Sequence, residues 1–120
     1  MKITGTGVDI VENSRMKKLI TNNSFLNRVF TNKEILISKN MKNKSSYFAK
    51  RFAAKEAVKK AILSQGEKTI IPLNAIEIRR NSDGPPQVHL LSELSKVYSV
   101  EVSISHTDEY AIAVALASIS

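Results

Sequence analysis

Phe48-Ala49-Lys50-Arg51-Phe52-Ala53-Ala54-Lys55-Glu56-Ala57-Val58-Lys59-Lys60-Ala61-Ile62-Leu63 is the stretch around which the rest of the chain is read. No Gly or Pro interrupts it, and strong helix formers fill most of its positions. At 100° per residue, Ala49, Phe52, Ala53, Glu56, Lys60 and Leu63 share a stripe about 100° wide, the width expected of a core-facing stripe. Glu56 and Lys60 stand four residues apart in the middle of it. A carboxylate on a face expected to be buried is costly unless something pairs with it. Two readings stay open. One is an exposed i, i+4 ion pair worth about 0.3–0.5 kcal/mol. The other is a partly desolvated pair between Phe52 and Leu63, placed there for a purpose.

Working toward the amino terminus, residues 39 to 46 are polar and basic and read as a loop, with Ser45 or Ser46 as the helix N-cap. Thr31-Asn32-Lys33-Glu34 matches a capping box opening a helix through Ile35, Leu36 and Ile37. Phe25 to Phe30 reads as a short helix, and Asn13 or Ser14 as the cap of another carrying Arg15, Met16, Leu19 and Ile20. Residues 2 to 11 read as a strand ending near Glu12, in which Asp9 points to the opposite face from Val8 and Ile10.

Toward the carboxyl terminus, Gly66 is placed to end the long helix in the left-handed conformation. Ala75 to Arg79 and Gln87 to Leu90 read as strands around the turn formers 81 to 86. Ser92 to Tyr98 reads as a short helix or a loop. Val100, Val102 and Ile104 then alternate with Glu101, Ser103 and Ser105, and Ile112, Val114 and Leu116 with four alanines. This predicts an antiparallel hairpin with one bulky and one small-residue face. The alanine face would admit close approach of a helix of the same domain or of a second subunit. The fold class is α+β: one domain, residues 1 to 120, with an antiparallel sheet packed on a long central helix plus shorter helices.

The apolar fraction of 42% and charged fraction of 24% are those of an ordinary globule. The chain has no cysteine, so neither a disulfide framework nor a thiolate metal site is available. No apolar run is long enough for a membrane span, and Asp9 interrupts the first one; the chain is read as cytoplasmic, with no membrane partner. Eighteen Lys plus Arg against 11 Asp plus Glu give a formal charge of +7. That favours an anionic partner such as nucleic acid, a phosphorylated small molecule or an acidic protein, although solubility alone also accounts for it.

Two carboxylates from separate elements, such as Asp9 and Glu56, are a common way to hold a Mg²⁺ that keeps waters and takes substrate phosphates. With no Cys and two His, an oxygen-ligand metal fits better than zinc. His106, flanked by Ser105 and Thr107 at the hairpin turn, is either a plain turn residue or a donor to a phosphate or a reacting hydroxyl. No Walker loop, dinucleotide-binding glycine fingerprint or serine-nucleophile elbow is present.

Three patches together resemble one family. Gly7-Val8-Asp9-Ile10, with Arg15 six residues past the aspartate, resembles the amino-terminal signature of the holo-[acyl-carrier-protein] synthases, the small trimeric 4'-phosphopantetheinyl transferases. Arg51 to Ala61 resembles that family's central helix motif. Val102-Ser103-Ile104-Ser105-His106-Thr107, followed by Glu109-Tyr110-Ala111, resembles its terminal hairpin, and Asp83-Gly84-Pro85-Pro86 is a weaker echo. The resemblance spans the chain. It implies the phosphopantetheinyl transferase fold, a homotrimer with active sites between subunits, and transfer of 4'-phosphopantetheine from coenzyme A to a serine of apo acyl carrier protein. Adenosine 3',5'-bisphosphate is the other product.

By the same resemblance, Asp9 and Glu56 match the Mg²⁺ ligands, and Lys60 would contact the pyrophosphate. The proton of the serine would pass to a metal-held water or to Glu56. Arg51, His106, Thr107, Gly84 and Pro86 match the nucleotide site, with Lys42 and Lys44 near the 3'-phosphate. Arg15 matches a carrier-protein contact that Lys18 and Arg28 would extend. The sequence departs from the family at Leu63-Ser64-Gln65-Gly66, where Gly-Thr-Gly is common, and at Asp83, where Asn is common. The rival from another class is a small basic nucleic-acid-binding module using Lys39, Lys42, Lys44 and the helix lysines. Its weakness is that the aromatics are not interleaved with the basic loops.

Overall fold

The computed structural model describes residues 2–81 and 84–120, so the Asp83 departure lies outside the described residues. Strand β1 (Ile3–Glu12) leads into three short helices, α1 (Asn13–Leu19), α2 (Asn23–Val29) and α3 (Asn32–Ser38), and then into the long helix α4 (Lys44–Leu63). Strands β2 (Ile76–Arg79) and β3 (Gln87–Leu90) follow, and β4 (Tyr98–His106) and β5 (Tyr110–Ile119) close the chain. Among the described residues these strands form two antiparallel sheets, one ordered β1-β5-β4 and the other made of β2 and β3. Residues 93–96, the segment left between helix and loop, form a 3₁₀ turn capped by Ser92.

The helix boundaries follow local chemistry. The Thr31–Glu34 capping box is present in both directions. Helix α4 starts earlier than expected, at Lys44, because Asn43 rather than a serine caps it, accepting from Ser46 N at 3.0 Å. It ends as expected, with Gly66 at φ 89°. Neither expected cap serves α1: Asn13 Nδ2 instead donates to Asp108 O at 2.9 Å, tying the start of α1 to the β4–β5 turn.

Helix α4 lies across the β1-β5-β4 sheet, and the packing revises two expectations. First, its buried residues include Ala54, Val58, Ala61 and Ile62, whereas Lys60 and Leu63 are exposed. The Ala49–Leu63 stripe is therefore the margin of the buried surface rather than its centre. The helix is covered by the sheet on one side and by α1, α3 and β2 on others, so its apolar residues are spread around it rather than gathered on a single face. The fully buried charge is Lys55, not Glu56. Lys55 pairs at 2.6 Å with the equally buried Glu34 of α3. Burial lowers the pKa of the Lys55 ammonium, and the Glu34 charge opposes that shift.

Second, the hairpin does not separate bulky from small residues. Its register sets Val100, Val102 and Ile104 opposite Ala117, Ala115 and Ala113. The buried face thus carries bulky residues on β4 and alanines on β5. The alanines lie buried where α4 passes closest, and the larger β4 side chains fill the space beside the helix. The opposite face bears Ile112, Val114 and Leu116 of β5 beside Val8 and Ile10 of β1, all exposed.

Candidate active site

The approach of β1 to α4 is set by two glycines. A Cβ at Gly7 would overlap the carbonyl oxygen of Ala57 and stand 2.7 Å from Ala61 N. At Gly5 it would overlap the Ala61 carbonyl and come within 2.8 Å of Ser64 Oγ. Alternate residues of β1 therefore meet successive turns of α4, running antiparallel to it. Two strand residues advance about 6.6 Å and a helical turn about 5.4 Å. The next residue on that face, Asp9, accordingly arrives at the turn that carries Glu56.

Contacts agree with this register. Lys60 Nζ donates to Asp9 Oδ1 and to Val8 O, each at 3.2 Å. The Asp9 side chain is 18% exposed and that of Lys60 52%. The helix pair expected between Glu56 and Lys60 is absent, since Lys60 reaches across to the strand instead. Glu56 is half-buried and has no hydrogen-bond or ion-pair partner among the described residues. A carboxylate with free oxygens, next to a second one already partly desolvated, is a donor set that suits a hard divalent cation. No cluster of three or more His, Asp or Glu gathers among the described residues. A cation here would therefore draw its remaining ligands from substrate and water.

A second feature lies at the other end of α4. Lys50, Arg51, Ile78, Arg80, Pro86, Ile104 and His106 line a cavity of about 90 Å³. Among the described lining residues three are cationic and none is acidic, so the cavity suits an anion. Burial lowers the pKa of Lys50, and the Arg51 and Arg80 charges lower it further. The Arg51 guanidinium stacks on the Tyr47 ring at 3.9 Å. Its Nε is buried without a partner among the described residues.

Arg51, Pro86 and His106, expected at one site from separate parts of the sequence, are thus brought together. Gly84 joins them indirectly, its carbonyl accepting from Arg80 Nε at 3.1 Å. Thr107 does not line the cavity: its Oγ1 accepts from Glu109 N and Tyr110 N and shapes the turn behind His106. Lys42 and Lys44 are also outside it. Lys44 lies on the Arg51 side of α4, about 10 Å toward its start. Lys50 and Arg80 were not anticipated; the signals were present in the basic pairs Lys50-Arg51 and Arg79-Arg80. Arg15 and Lys18 are exposed on α1 and Arg28 on α2.

Known proteins share this sequence pattern and fold. A family profile described as the 4'-phosphopantetheinyl transferase superfamily matches residues 5–115. A holo-[acyl-carrier-protein] synthase of Thermodesulfovibrio yellowstonii is 44% identical over 113 residues, covering 92% of this chain and 95% of that protein. The crystal structure of the synthase from Neisseria meningitidis superposes with a TM-score of 0.85 at 30% identity, over 98% of this chain and 99% of that one. The Helicobacter pylori synthase, solved in complex with coenzyme A, gives a TM-score of 0.78 at 34% identity, over 94% and 99%. The chain belongs to the 4'-phosphopantetheinyl transferase superfamily, in its holo-[acyl-carrier-protein] synthase branch.

Proposed function

We propose how this chain performs the reaction of its family, transfer of 4'-phosphopantetheine from coenzyme A to a serine of apo acyl carrier protein. Asp9 and Glu56 would hold Mg²⁺, and the observation that carries this is the unpartnered Glu56 carboxylate at the level of Asp9. When bound, the ion neutralises the carboxylates and the pyrophosphate and draws charge from the phosphorus under attack. The serine hydroxyl gives its proton to Glu56 or to water, and its oxygen forms a bond to that phosphorus as the bond to the departing adenosine 3',5'-bisphosphate breaks. Lys60, already beside Asp9, is within reach of a pyrophosphate held there and offsets charge on the leaving phosphate.

The cavity of Lys50, Arg51, Arg80 and His106 takes the phosphorylated nucleotide end of coenzyme A. The cluster of three cations and the buried, unpartnered Arg51 Nε among them support this. Pro86 lines it, Gly84 holds Arg80 through its carbonyl, and Thr107 shapes the turn behind His106. Lys42 and Lys44, just before and at the start of α4, would meet the 3'-phosphate. Arg15, Lys18 and Arg28 form a cationic surface for the acidic carrier protein. The net charge of +7 then serves two anionic substrates by raising their encounter rate.

The exposed Val8, Ile10, Ile112, Val114 and Leu116 face is the contact between copies in a homotrimer, with sites completed across subunits. All of this is the work of one domain, residues 1 to 120, in the cytoplasm. Among the described residues no helix is long and apolar enough to cross a membrane.

The test is mass spectrometry of an apo carrier protein after incubation with the protein, coenzyme A and Mg²⁺. The wild type is expected to add the phosphopantetheine mass. Glu56→Gln is expected to add none while keeping the wild-type circular dichroism spectrum and losing direct Mn²⁺ binding. Near-normal transfer by that variant at saturating Mg²⁺ would refute the metal assignment.

A further inference from the structure

The far wall of the basic cavity is tied in place by two buried charges that the transfer chemistry does not use. The near wall, Lys50 and Arg51, belongs to α4. The far wall includes Ile78 of β2, Arg80 just after it, and Pro86 just before β3. Among the described residues, β2 and β3 form a sheet of their own with no backbone ladder to the larger one. The position of this hairpin relative to α4 is therefore decided by side chains. Ile76 and Ile78 are buried in the core, but apolar contact is non-directional.

Direction comes from Lys55, one helical turn beyond Arg51. Its ammonium donates to Glu34 Oε1 at 2.6 Å, to Ile76 O at 2.5 Å and to Leu73 O at 3.1 Å, which uses all three of its protons. The other oxygen of Glu34 accepts from Ile78 N at 2.9 Å. Two alternate residues of β2 are thus bonded, one through its carbonyl and one through its amide, to charges anchored in α4 and α3. Ile78 is itself a wall of the cavity, and Arg80 follows two residues later.

We propose that Lys55 and Glu34 are positioning residues for coenzyme A: they set the spacing across the cavity between the α4 cations and Arg80. The inference rests on the reading that this cavity takes the phosphorylated nucleotide. A planar or multidentate anion gripped from two walls is sensitive to their separation, and misplacement by about 1 Å at such contacts is costly. A pair that served stability alone would need no bonds to these two β2 positions, because apolar residues of similar volume commonly replace buried ion pairs without loss.

That last point supplies the test. Glu34→Gln or Lys55→Met alone strands a buried charge and is expected to destabilise the fold. Together they remove both charges at similar volume and cut the link from α4 to the Ile76 and Leu73 carbonyls. The double variant is expected to fold, to bind adenosine 3',5'-bisphosphate about tenfold more weakly by calorimetry, and to show a matching rise in KM for coenzyme A. The loss should fall on that KM, with kcat and the KM for carrier protein little changed.

Wild-type bisphosphate affinity in the folded double variant would overturn the proposal. So would equal losses for both substrates, the mark of general loosening. A wild-type protein that takes neither the bisphosphate nor coenzyme A would instead overturn the cavity assignment, and this inference with it. Should the double variant not fold, amide exchange on the wild type decides. Bisphosphate is expected to slow exchange at Ile78, and an unchanged rate there would refute the clamp.

Discussion

At Gly7 the absence of a side chain brings a carboxylate-bearing strand against a helix. A methyl group there would overlap the Ala57 carbonyl, a backbone atom that cannot turn aside. Gly7→Ala must therefore push β1 away from α4, and overpacking of this kind costs about 1–3 kcal/mol. The urea midpoint should fall with the slope unchanged. Under conditions where the variant stays folded, transfer should drop further than stability explains, because Asp9 moves away from the Glu56 turn. An unchanged midpoint would show that the approach is looser than the geometry indicates. The pairing of Asp9 with Lys60 was not legible in the sequence. Spacing on the helix suggested Glu56 as the partner of Lys60, and only the strand crossing offered it Asp9 instead. Lys55 was hidden for a related reason, since a lysine among alanines reads as surface until α3 and β2 are laid over it.

At the scale of the elements, α3 and α4 are joined through Tyr47, whose hydroxyl donates to Glu34 O at 2.9 Å. Burial raises the phenol pKa to about 12; the Arg51 charge opposes the shift, and Glu34 and Glu77 add to it. The folded pKa thus lies above the unfolded value of 10.0, so the neutral phenol favours the fold. That contribution is complete below about pH 10 and is lost as pH rises through about 12. Tyr47→Phe removes the ionisation together with one hydrogen bond worth about 1 kcal/mol. Urea denaturation at several pH values should show the wild type more stable at pH 8, with the difference shrinking above pH 10. A constant difference would mean that Tyr47 ionises freely in the fold. Most of the elements, by contrast, were legible, because a capping box, a strand alternation and a terminal glycine are each complete within a few residues. The misjudged starts of α1 and α4 came from asparagines whose partners differ: Asn43 caps its own helix, while Asn13 is drawn to the distant β4–β5 turn.

Across the whole molecule, the sheet has one face under α4 and one uncovered. The uncovered face carries Val8, Ile10, Ile112, Val114 and Leu116 in register, from Val8 opposite Val114 to Ile10 opposite Ile112. If this face joins the copies of a trimer, Val114→Glu places a charge in the contact without disturbing the core of the single chain. Light scattering coupled to gel filtration should then give a folded monomer, with transfer lost if the sites are completed between subunits as proposed. A trimer of wild-type activity would place the subunit contact elsewhere.

What the sequence determined by itself was most of the elements, their order and the antiparallel hairpin, with Asp9, Glu56, Lys60 and His106 marked out as candidates. Each of these depends on local periodicity, on capping or on residue type. Which side of α4 is buried, which face of the hairpin meets it, and which cations share the cavity with Arg51 were decided only in the tertiary structure. The physical reason is that periodicity fixes the angle between side chains but not what covers them. A helix with apolar residues on several sides, and a hairpin with apolar residues on both faces, can each be laid down more than one way until the glycines of β1 and the Lys55–Glu34 pair choose.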